Sequence, residues 1–127
     1  KMRLKHKRNW TKDGSSLKQA VSQLEAFFEG NLKNFDLPLA LTGTPFRRSV
    51  WAGLMDIPYG ETWSYGQLAN YIGAPNACRA VGSANGFNPI PIVVPCHRVI
   101  GKNGSLTGFG GGLKTKKFLL ELESKNR

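Results

Sequence analysis

The sequence predicts a mainly α-helical fold with a small β element, and three observations carry this prediction. Four segments between residues 15 and 86 combine helix caps or terminating glycines with apolar residues at helical spacing. A fifth segment with helical spacing, LKTKKFLLELE (113–123), lies near the C-terminal end. Between them lies PIPIVVP (89–95), whose short apolar run closing on a proline is typical of a buried strand.

The first predicted helix is SSLKQAVSQLEAFFEG (15–30). Ser16 and Gln19 have the spacing of a capping box, and Gly30 is suited to end the helix. The side chains predicted to face the core are Leu17, Val21, Leu24 and Phe28. Residues 31–43 then form a connector of extended character.

The second predicted helix lies in TPFRRSVWAGLMDIPYG (44–60). Thr44 suits the N-cap, and Pro45 suits the first helical position because an amide hydrogen is not needed there. The side chains predicted to face inward are Phe46, Val50 and Leu54.

Two short helices joined by a glycine-containing turn predict a helix-turn-helix. In TWSYGQLANYIG (62–73), Ser64 and Gln67 form a capping box and Gly73 ends the helix; Pro75 then opens the second helix, NACRAVGSANG (76–86). The predicted inward residues are Leu68, Ala69 and Ile72 in the first helix and Ala77, Ala80, Val81 and Ala84 in the second.

The outward face of the second helix is small and carries one cation. Its members are Cys78, Arg79, Gly82 and Ser83. A helix that reads bases in the major groove usually carries several long polar side chains. This face therefore favours close approach to a groove, with Arg79 projecting, over sequence readout; an ordinary solvated arginine is the alternative.

The charge balance indicates a polyanionic partner. Eighteen Lys and Arg against 8 Asp and Glu give a net charge of +10 over 127 residues, which favours nucleic acid or an anionic membrane surface. No apolar stretch approaches the roughly 20 residues that span a bilayer, and no basic amphipathic helix suits a membrane surface. The basic N-terminal stretch lacks the apolar core of a signal peptide, so we expect an intracellular protein.

The two cysteines, Cys78 and Cys96, are expected to be free thiols in a reducing compartment. A structural zinc site is disfavoured because the sequence has no C-x-x-C pair and only His6 and His97 could complete a ligand set. We therefore expect no metal.

The stretch PCHR (95–98) places a thiol, an imidazole and a guanidinium at the end of the apolar run. Cys96 is either a buried core cysteine or a nucleophile with a base beside it. Neighbouring side chains in a strand point to opposite faces, so His97 would act on Cys96 through a water or after a turn of the backbone. A carboxylate from the last helix, Glu123 or Glu121, could orient His97.

Two further elements complete the chain. KNG (102–104) predicts the turn of a hairpin, followed by a flexible glycine-rich loop. The last helix is predicted to pack Leu113, the stem of Lys117, Phe118 and Leu122 against the core.

The ordered motifs TWSYGQLA, RAVGSANGFNP, PCHRVIG and GSLTGFGGGLKTKKFLLELE resemble the 6-O-alkylguanine-DNA alkyltransferase family. The resemblance runs from about Leu17 to Glu123. It implies an alkyltransferase C-terminal domain of winged helix-turn-helix type over residues 41–127. Residues 1–40 would then be a reduced N-terminal segment, a basic tail with one helix.

The resemblance also implies a role for individual residues. Cys96 would accept the alkyl group, His97 would act through a water, and Glu123 would hold His97 in the useful tautomer. Tyr65 would donate to the guanine and crowd the phosphate, while Arg79 would enter the duplex and fill the gap. The other implied DNA-binding residues are Ala80, Gly82, Ser83, Asn88, which would also be a hinge, and Arg98. The implied base pocket is lined by Val99, Gly108, Phe109 and Gly110.

The function that follows from the resemblance is suicide DNA repair. The alkyl group of 6-O-alkylguanine, and of 4-O-alkylthymine, would move irreversibly from double-stranded DNA to Cys96, with no cofactor and with a monomeric protein. Such a protein would work in the prokaryotic cytoplasm or the eukaryotic nucleus. The alternative is a helix-turn-helix protein without chemistry that recognises or senses alkylated DNA.

Three residues depart from the family pattern. Phe109 stands where relatives usually have tyrosine, Gly110 where a larger residue is common, and Phe87 where a cation is frequent. The first two changes remove a hydroxyl contact and widen the implied pocket, so they bear on the preferred alkyl group.

Overall fold

Helices dominate the computed structural model, which describes residues 14–106, 109 and 112–127. The described helices are α1 (Gly14–Phe28), α2 (Pro45–Met55), α3 (Tyr65–Tyr71), α4 (Cys78–Gly86) and α5 (Leu113–Asn126). Two short strands, β1 (Trp63–Ser64) and β2 (Val99–Ile100), pair in parallel, and a single 3₁₀ turn spans Cys96–Arg98. The predicted fold class, mainly α with a small β element, is confirmed.

Helix α1 buries a different stripe from the predicted one. Leu17, Val21 and Phe28 are exposed, whereas Phe27 is fully buried and Leu24 packs against the core. Both stripes have helical spacing, so the pattern alone could not separate them. The buried stripe is fixed by the Phe27 ring, which meets rings of the connector and of the segment after α2 at 5.3 and 6.1 Å.

The C-terminal end of α1 agrees with the prediction, but its N-terminal end does not. The helix begins at Gly14, so Ser16 lies inside its first turn and is not the N-cap. Gly30 ends it in the left-handed region with φ +80°, where glycine avoids the cost of a Cβ.

Helix α2 forms as predicted. The Thr44 hydroxyl accepts a hydrogen bond from the Arg47 amide at 3.1 Å, and Pro45 occupies the first turn. Val50 and Leu54 are buried as expected. Trp51 is buried as well and its Nε1 donates to the Ala84 carbonyl at 2.9 Å, which ties α2 to α4.

The helix-turn-helix consists of α3 and α4. Both halves of the capping box are present, because the Gln67 amide donates to Ser64 Oγ at 3.0 Å and the Ser64 amide donates to Gln67 Oε1 at 2.7 Å. Leu68 and Ala69 are buried in α3, and Gly73 follows the helix at φ +83°.

Helix α4 starts later than predicted and buries fewer residues. It begins at Cys78 instead of near Pro75, because the preceding residues form a turn in which the Ala77 amide donates to the Ala74 carbonyl at 2.9 Å. Val81 and Ala84 face inward, but Ala80 is exposed, which corrects its predicted inward position.

The apolar run before Cys96 is a turn and not a strand. The Val94 amide donates to the Ile90 carbonyl at 2.9 Å, and Ile92 has φ +78°. Prolines cannot donate to a ladder, so the three in residues 89–95 disfavour a long strand. The predicted hairpin is also wrong: a turn closes at residues 101–105, but β2 pairs with β1, Trp63 opposite Val99.

Helix α5 turns an unexpected face to the interior. Lys116, Leu119 and Glu123 are buried, whereas Leu113, Lys117 and Phe118 are exposed and Leu122 is partly buried. The Phe118 ring stacks on Phe28 at 6.4 Å. The predicted packing face is therefore wrong, because two buried charges lie on the true one.

Candidate active site

The 3₁₀ turn after Pro95 buries Cys96, His97 and Arg98 together, with Cys96 only 4% exposed. The Cys96 amide donates to the Val94 carbonyl at 2.7 Å, and the Arg98 amide donates to the Pro95 carbonyl at 3.0 Å. This turn supplies the change of backbone direction that a regular strand would not have given. Both cysteines are free thiols, and Cys78 is exposed.

Asn88 joins the end of α4 to the residues that lead into this turn. Its Nδ2 donates to the Val94 carbonyl at 2.7 Å, and its Oδ1 accepts from the Ile90 amide at 2.9 Å. Asn88 also forms a hydrogen bond with the Cys96 side chain. These contacts suit the predicted hinge, since any movement of Asn88 would change its hydrogen bonds to the Val94 carbonyl and to the Cys96 side chain.

The Cys96 thiol is protonated at rest. Burial raises its pKa above the ordinary value, and this effect outweighs the Asn88 hydrogen bond and the nearby charge of Lys116, which lower it. Because the thiolate is the nucleophilic form, reaction requires a base that takes the proton.

His97, the next residue along the chain, is the predicted base. It is fully buried, and its Nε2 lies 2.6 Å from Glu123 Oε2. An ionised carboxylate only accepts, so Nε2 carries the hydrogen and the lone pair is left on Nδ1. Nδ1 has no hydrogen-bond partner among the described residues. Burial lowers the pKa of His97, in spite of the charge of Glu123, and keeps the imidazole neutral.

Glu123 is held by hydrogen bonds from two segments of the chain, the turn that contains His97 and Arg98 and the segment that contains Gly60. Arg98 donates from Nε to Oε1 at 2.8 Å and from a terminal nitrogen to Oε2 at 2.9 Å, and the Gly60 amide donates to Oε1 at 3.0 Å. Burial alone would raise the pKa of Glu123, but the hydrogen bonds from His97 and Arg98 lower it to about 2. Glu121 is exposed, so the structure selects Glu123 of the two predicted carboxylates.

Arg98 is not placed to contact DNA. Its side chain is 6% exposed, and a further terminal nitrogen donates to the Ile57 carbonyl at 2.8 Å. This interior position corrects the predicted DNA contact. A sequence does not distinguish a buried, paired arginine from a solvated one.

Lys116 is a site residue that the sequence reasoning missed. It is fully buried, and its Nζ donates to the Val99 carbonyl at 2.6 Å. Burial lowers the pKa of Lys116, and the negative charge of Cys96 in its thiolate form acts in the opposite direction. One signal was present: Lys116 lies seven residues before Glu123, two helical turns along the same face.

An open cavity of about 700 Å³ lies between α3 and α4. Its lining residues are Tyr65, Asn76, Cys78, Arg79 and Gly82. The structure therefore brings three predicted residues, Tyr65, Arg79 and Gly82, to one surface. Ala80 and Ser83 are exposed on α4 beside them.

The predicted base-pocket residues are only partly described. Val99 is fully buried in the core cluster, and Phe109 is partly buried and packs against it. Gly108 and Gly110 lie outside the described residues. Phe87, the third departure from the family pattern, is exposed, and the Arg47 guanidinium lies over its ring at 4.1 Å.

Comparison with known proteins gives the family. Residues 45–125 match the DNA binding domain of 6-O-methylguanine DNA methyltransferase, and residues 1–41 match the ribonuclease-like domain of the same family. This chain belongs to the 6-O-methylguanine DNA methyltransferase family. The family predicted from the motifs is thereby confirmed.

Individual members of the family are close in sequence. The chain is 59% identical over 115 residues to the methylated-DNA–protein-cysteine methyltransferase of Mycobacterium tuberculosis, covering 91% of this chain and 70% of that protein. It is 56% identical over 115 residues to the protein of the same name from Methanosarcina acetivorans, covering 91% and 74%.

Solved structures agree with the fold. The crystal structure of Mycobacterium tuberculosis OGT in complex with DNA superposes with a TM-score of 0.84 at 60% identity, covering 86% of this chain and 68% of that one. S. pombe Atl1, in complex with damaged DNA containing O6-carboxymethylguanine, superposes with a TM-score of 0.58 at 33% identity, covering 65% and 79%.

Two kinds of feature are absent from the part of this family member that the structure describes. None of its described helices is long and apolar enough to cross a membrane. Nor do the described residues contain a group of three or more His, Cys, Asp and Glu side chains able to hold a metal ion.

Proposed function

We propose that this chain repairs DNA by transferring the alkyl group of 6-O-alkylguanine irreversibly to Cys96. The observation that carries the proposal is the buried array in which Cys96 adjoins His97 and His97 is bonded to Glu123 at 2.6 Å. The relatives named as methylated-DNA–protein-cysteine methyltransferases, at 56 to 59% identity, support it. A sensor without chemistry is disfavoured because such a protein needs no base beside its cysteine.

The array suggests how the proton and the alkyl group move. The Cys96 proton passes through a water to His97 Nδ1, and Glu123 stabilises the imidazolium that forms. The thiolate then attacks the alkyl carbon, and the bond from that carbon to the guanine oxygen breaks with its electron pair going to the guanine. The Tyr65 hydroxyl gives a proton to the guanine as this charge develops.

Duplex DNA must release the base before this chemistry, because the 6-oxygen substituent lies within the stack. Extrusion costs a few kcal/mol, less for a weakened pair. The small outer face of α4 suits the minor groove, and Arg79, exposed beside the cavity that Tyr65 lines, is placed to fill the gap. Such binding needs no particular flanking sequence.

The remaining features of the function follow from this mechanism. The product is a thioether that the array has no means to cleave, so each molecule acts once and needs no cofactor. We infer that the protein acts as a monomer where the DNA lies, in the cytoplasm of a prokaryote or the nucleus of a eukaryote. We extend the substrates to 4-O-alkylthymine, whose alkyl group is carried by an equivalent oxygen.

Stoichiometry tests the single-use mechanism. Incubation with excess duplex containing 6-O-methylguanine should repair about one equivalent of guanine per active protein and then stop, with the methyl group mapped to the peptide that contains Cys96. Repair that continues beyond one equivalent would contradict irreversible transfer. A methyl group mapped to another residue would contradict the assignment of Cys96.

A pair of variants separates base extrusion from chemistry. Arg79→Ala should slow repair of duplex by tenfold or more. The variant loses contacts that offset the few kcal/mol of base extrusion, and about 1.4 kcal/mol corresponds to a tenfold change in rate. Free 6-O-benzylguanine needs no extrusion and should alkylate the variant nearly as fast as the parent. Cys96→Ser should bind duplex normally and lose transfer with both substrates. Equal losses on duplex and free base for a folded Arg79→Ala protein would refute the role of Arg79.

A further inference from the structure

Arg98 contacts both oxygens of the carboxylate that His97 uses. Its Nε and one terminal nitrogen donate to Glu123 at 2.8 and 2.9 Å, while the other terminal nitrogen donates to the Ile57 carbonyl at 2.8 Å. This forked geometry fixes the carboxylate plane, and with it the Oε2 atom that meets His97. A lysine could supply the charge at this position but not the fork.

The charges of the cluster oppose one another at His97. Burial lowers the pKa of His97, the hydrogen bond and charge of Glu123 raise it, and the positive charges of Arg98 and Lys116 lower it. A buried carboxylate alone beside an imidazole would favour the imidazolium. That form has no lone pair on Nδ1 and cannot take the proton from Cys96.

We propose that Arg98 is a positioning residue that neutralises the Glu123 carboxylate, so that Glu123 orients His97 by a hydrogen bond while His97 stays an uncharged proton acceptor. This inference rests on the proposed function, because it concerns the same proton transfer. It assigns to Arg98 an interior role in place of the predicted contact with DNA.

The groups that face His97 and its partners come from every neighbouring segment. They are Cys96 and Arg98 on the turn, Lys116 and Glu123 on α5, Tyr59 after α2, and Lys33. The Arg98 guanidinium and Lys33 lie 5.5 and 5.7 Å from the centre of the Tyr59 ring. Burial, with the charge of Glu123, raises the pKa of Tyr59, so this phenol carries no charge near neutral pH.

Two substitutions at Arg98 separate its charge from its geometry. Arg98→Gln removes the charge, and Arg98→Lys keeps it without the fork. The rate of Cys96 alkylation by free 6-O-benzylguanine is measured against pH, which leaves DNA binding out of the comparison. The titration of the His97 ring nitrogens is followed by NMR in the same proteins, and cooperative urea unfolding checks that each variant is folded.

The charge-removing variant should shift the pH profile. In Arg98→Gln the acidic limb of the rate profile and the His97 titration should both move up by about one pH unit or more, so the rate near pH 6 falls about tenfold further than the rate at high pH. In Arg98→Lys the rate of Cys96 alkylation should fall at every pH, while the acidic limb of the rate profile stays near its position in the parent. A folded Arg98→Gln protein with an unmoved limb and unmoved His97 titration would overturn the proposal.

A double variant covers the case in which Arg98→Gln does not fold. Arg98→Gln with Glu123→Gln removes both charges of the buried Arg98–Glu123 ion pair, so this protein should fold more readily than Arg98→Gln alone. If Arg98 offsets Glu123, His97 should titrate within about one pH unit of its position in the parent. If the pKa of His97 in the parent is higher than in the double variant by more than about one unit, the proposal is contradicted. Failure of the parent to accept a benzyl group at any pH would refute the proposed function instead, while the NMR titration would still decide the role of Arg98.

Discussion

Replacing Glu123 by glutamine removes the one buried anion of the described active-site cluster. Its carboxylate is 1% exposed and accepts from His97, Arg98 and the Gly60 amide. A pKa of about 2 in the folded protein, against an ordinary 4.5, corresponds to about 3 kcal/mol of stability after allowance for solvent screening. Breaking a buried ion pair typically costs about 3–5 kcal/mol, which agrees.

The loss should depend on pH in a defined direction. A carboxyl whose pKa is lowered on folding contributes its full stability above its unfolded pKa and loses it as the pH falls through the folded one. Urea unfolding should therefore show Glu123→Gln about 3 kcal/mol less stable than the parent at pH 7. The difference in unfolding free energy between the parent and Glu123→Gln should narrow as the pH falls from 4.5 towards 2, because the parent carboxyl then becomes protonated and loses its charge.

A neighbouring carboxylate provides the control. Glu121 is exposed on the same helix, and Glu121→Gln should change the free energy of unfolding by no more than about 0.5 kcal/mol. A gap between the parent and Glu123→Gln that stays constant from pH 7 to pH 3 would refute the reasoning, because the loss would then come from packing and not from the charge.

Three further results are expected. Gly60→Ala should lower the free energy of unfolding, measured in urea, more than Gly73→Ala does. Both glycines have φ above +80°, but only Gly60 donates to Glu123, and only at Gly60 would the added Cβ lie 3.1 Å from the Arg127 side chain. Equal losses of unfolding free energy in the two variants would contradict this. Lys116→Met should raise the pKa of the Cys96 thiol, read from thiolate absorbance against pH; an unchanged or lower pKa would show that the ammonium does not stabilise the thiolate. The logarithm of the duplex affinity should fall against the logarithm of salt concentration by about 0.9 for each phosphate contact, whatever the flanking sequence; a strong preference for one undamaged sequence would favour a regulator.

Local signals in the sequence were sufficient to predict the start of α2 and both ends of α3. The capping box of Ser64 and Gln67, the cap at Thr44 and the stop at Gly73 each depend on residues a few positions apart, and all three appear in the structure. Most of the outward face of α4 was predicted for the same reason: the helix buries Val81, Ala84 and Asn85, which leaves Cys78, Arg79 and Ser83 exposed.

Contacts between distant segments decided what the sequence could not. The buried stripes of α1 and α5 both differ from the predicted ones, and in each helix the alternative stripe is equally periodic. In α1 the choice depends on the Phe27 ring meeting Phe35 and Tyr59. In α5 it depends on Lys116 and Glu123, which hydrophobic patterning assigns to the surface.

The burial of Arg98, Lys116 and Glu123 explains why the sequence did not predict that they pack together, and it also affects the chemistry of the site. Each charge in it is acceptable inside the protein only because a group from another segment meets it: the Gly60 amide and Arg98 at Glu123, and the Val99 carbonyl at Lys116. No single stretch of sequence contains both members of such a pair. Burial also raises the pKa of the Cys96 thiol and lowers that of His97. The resting pair is therefore a neutral thiol and a neutral imidazole, which is the state from which the proposed proton transfer starts.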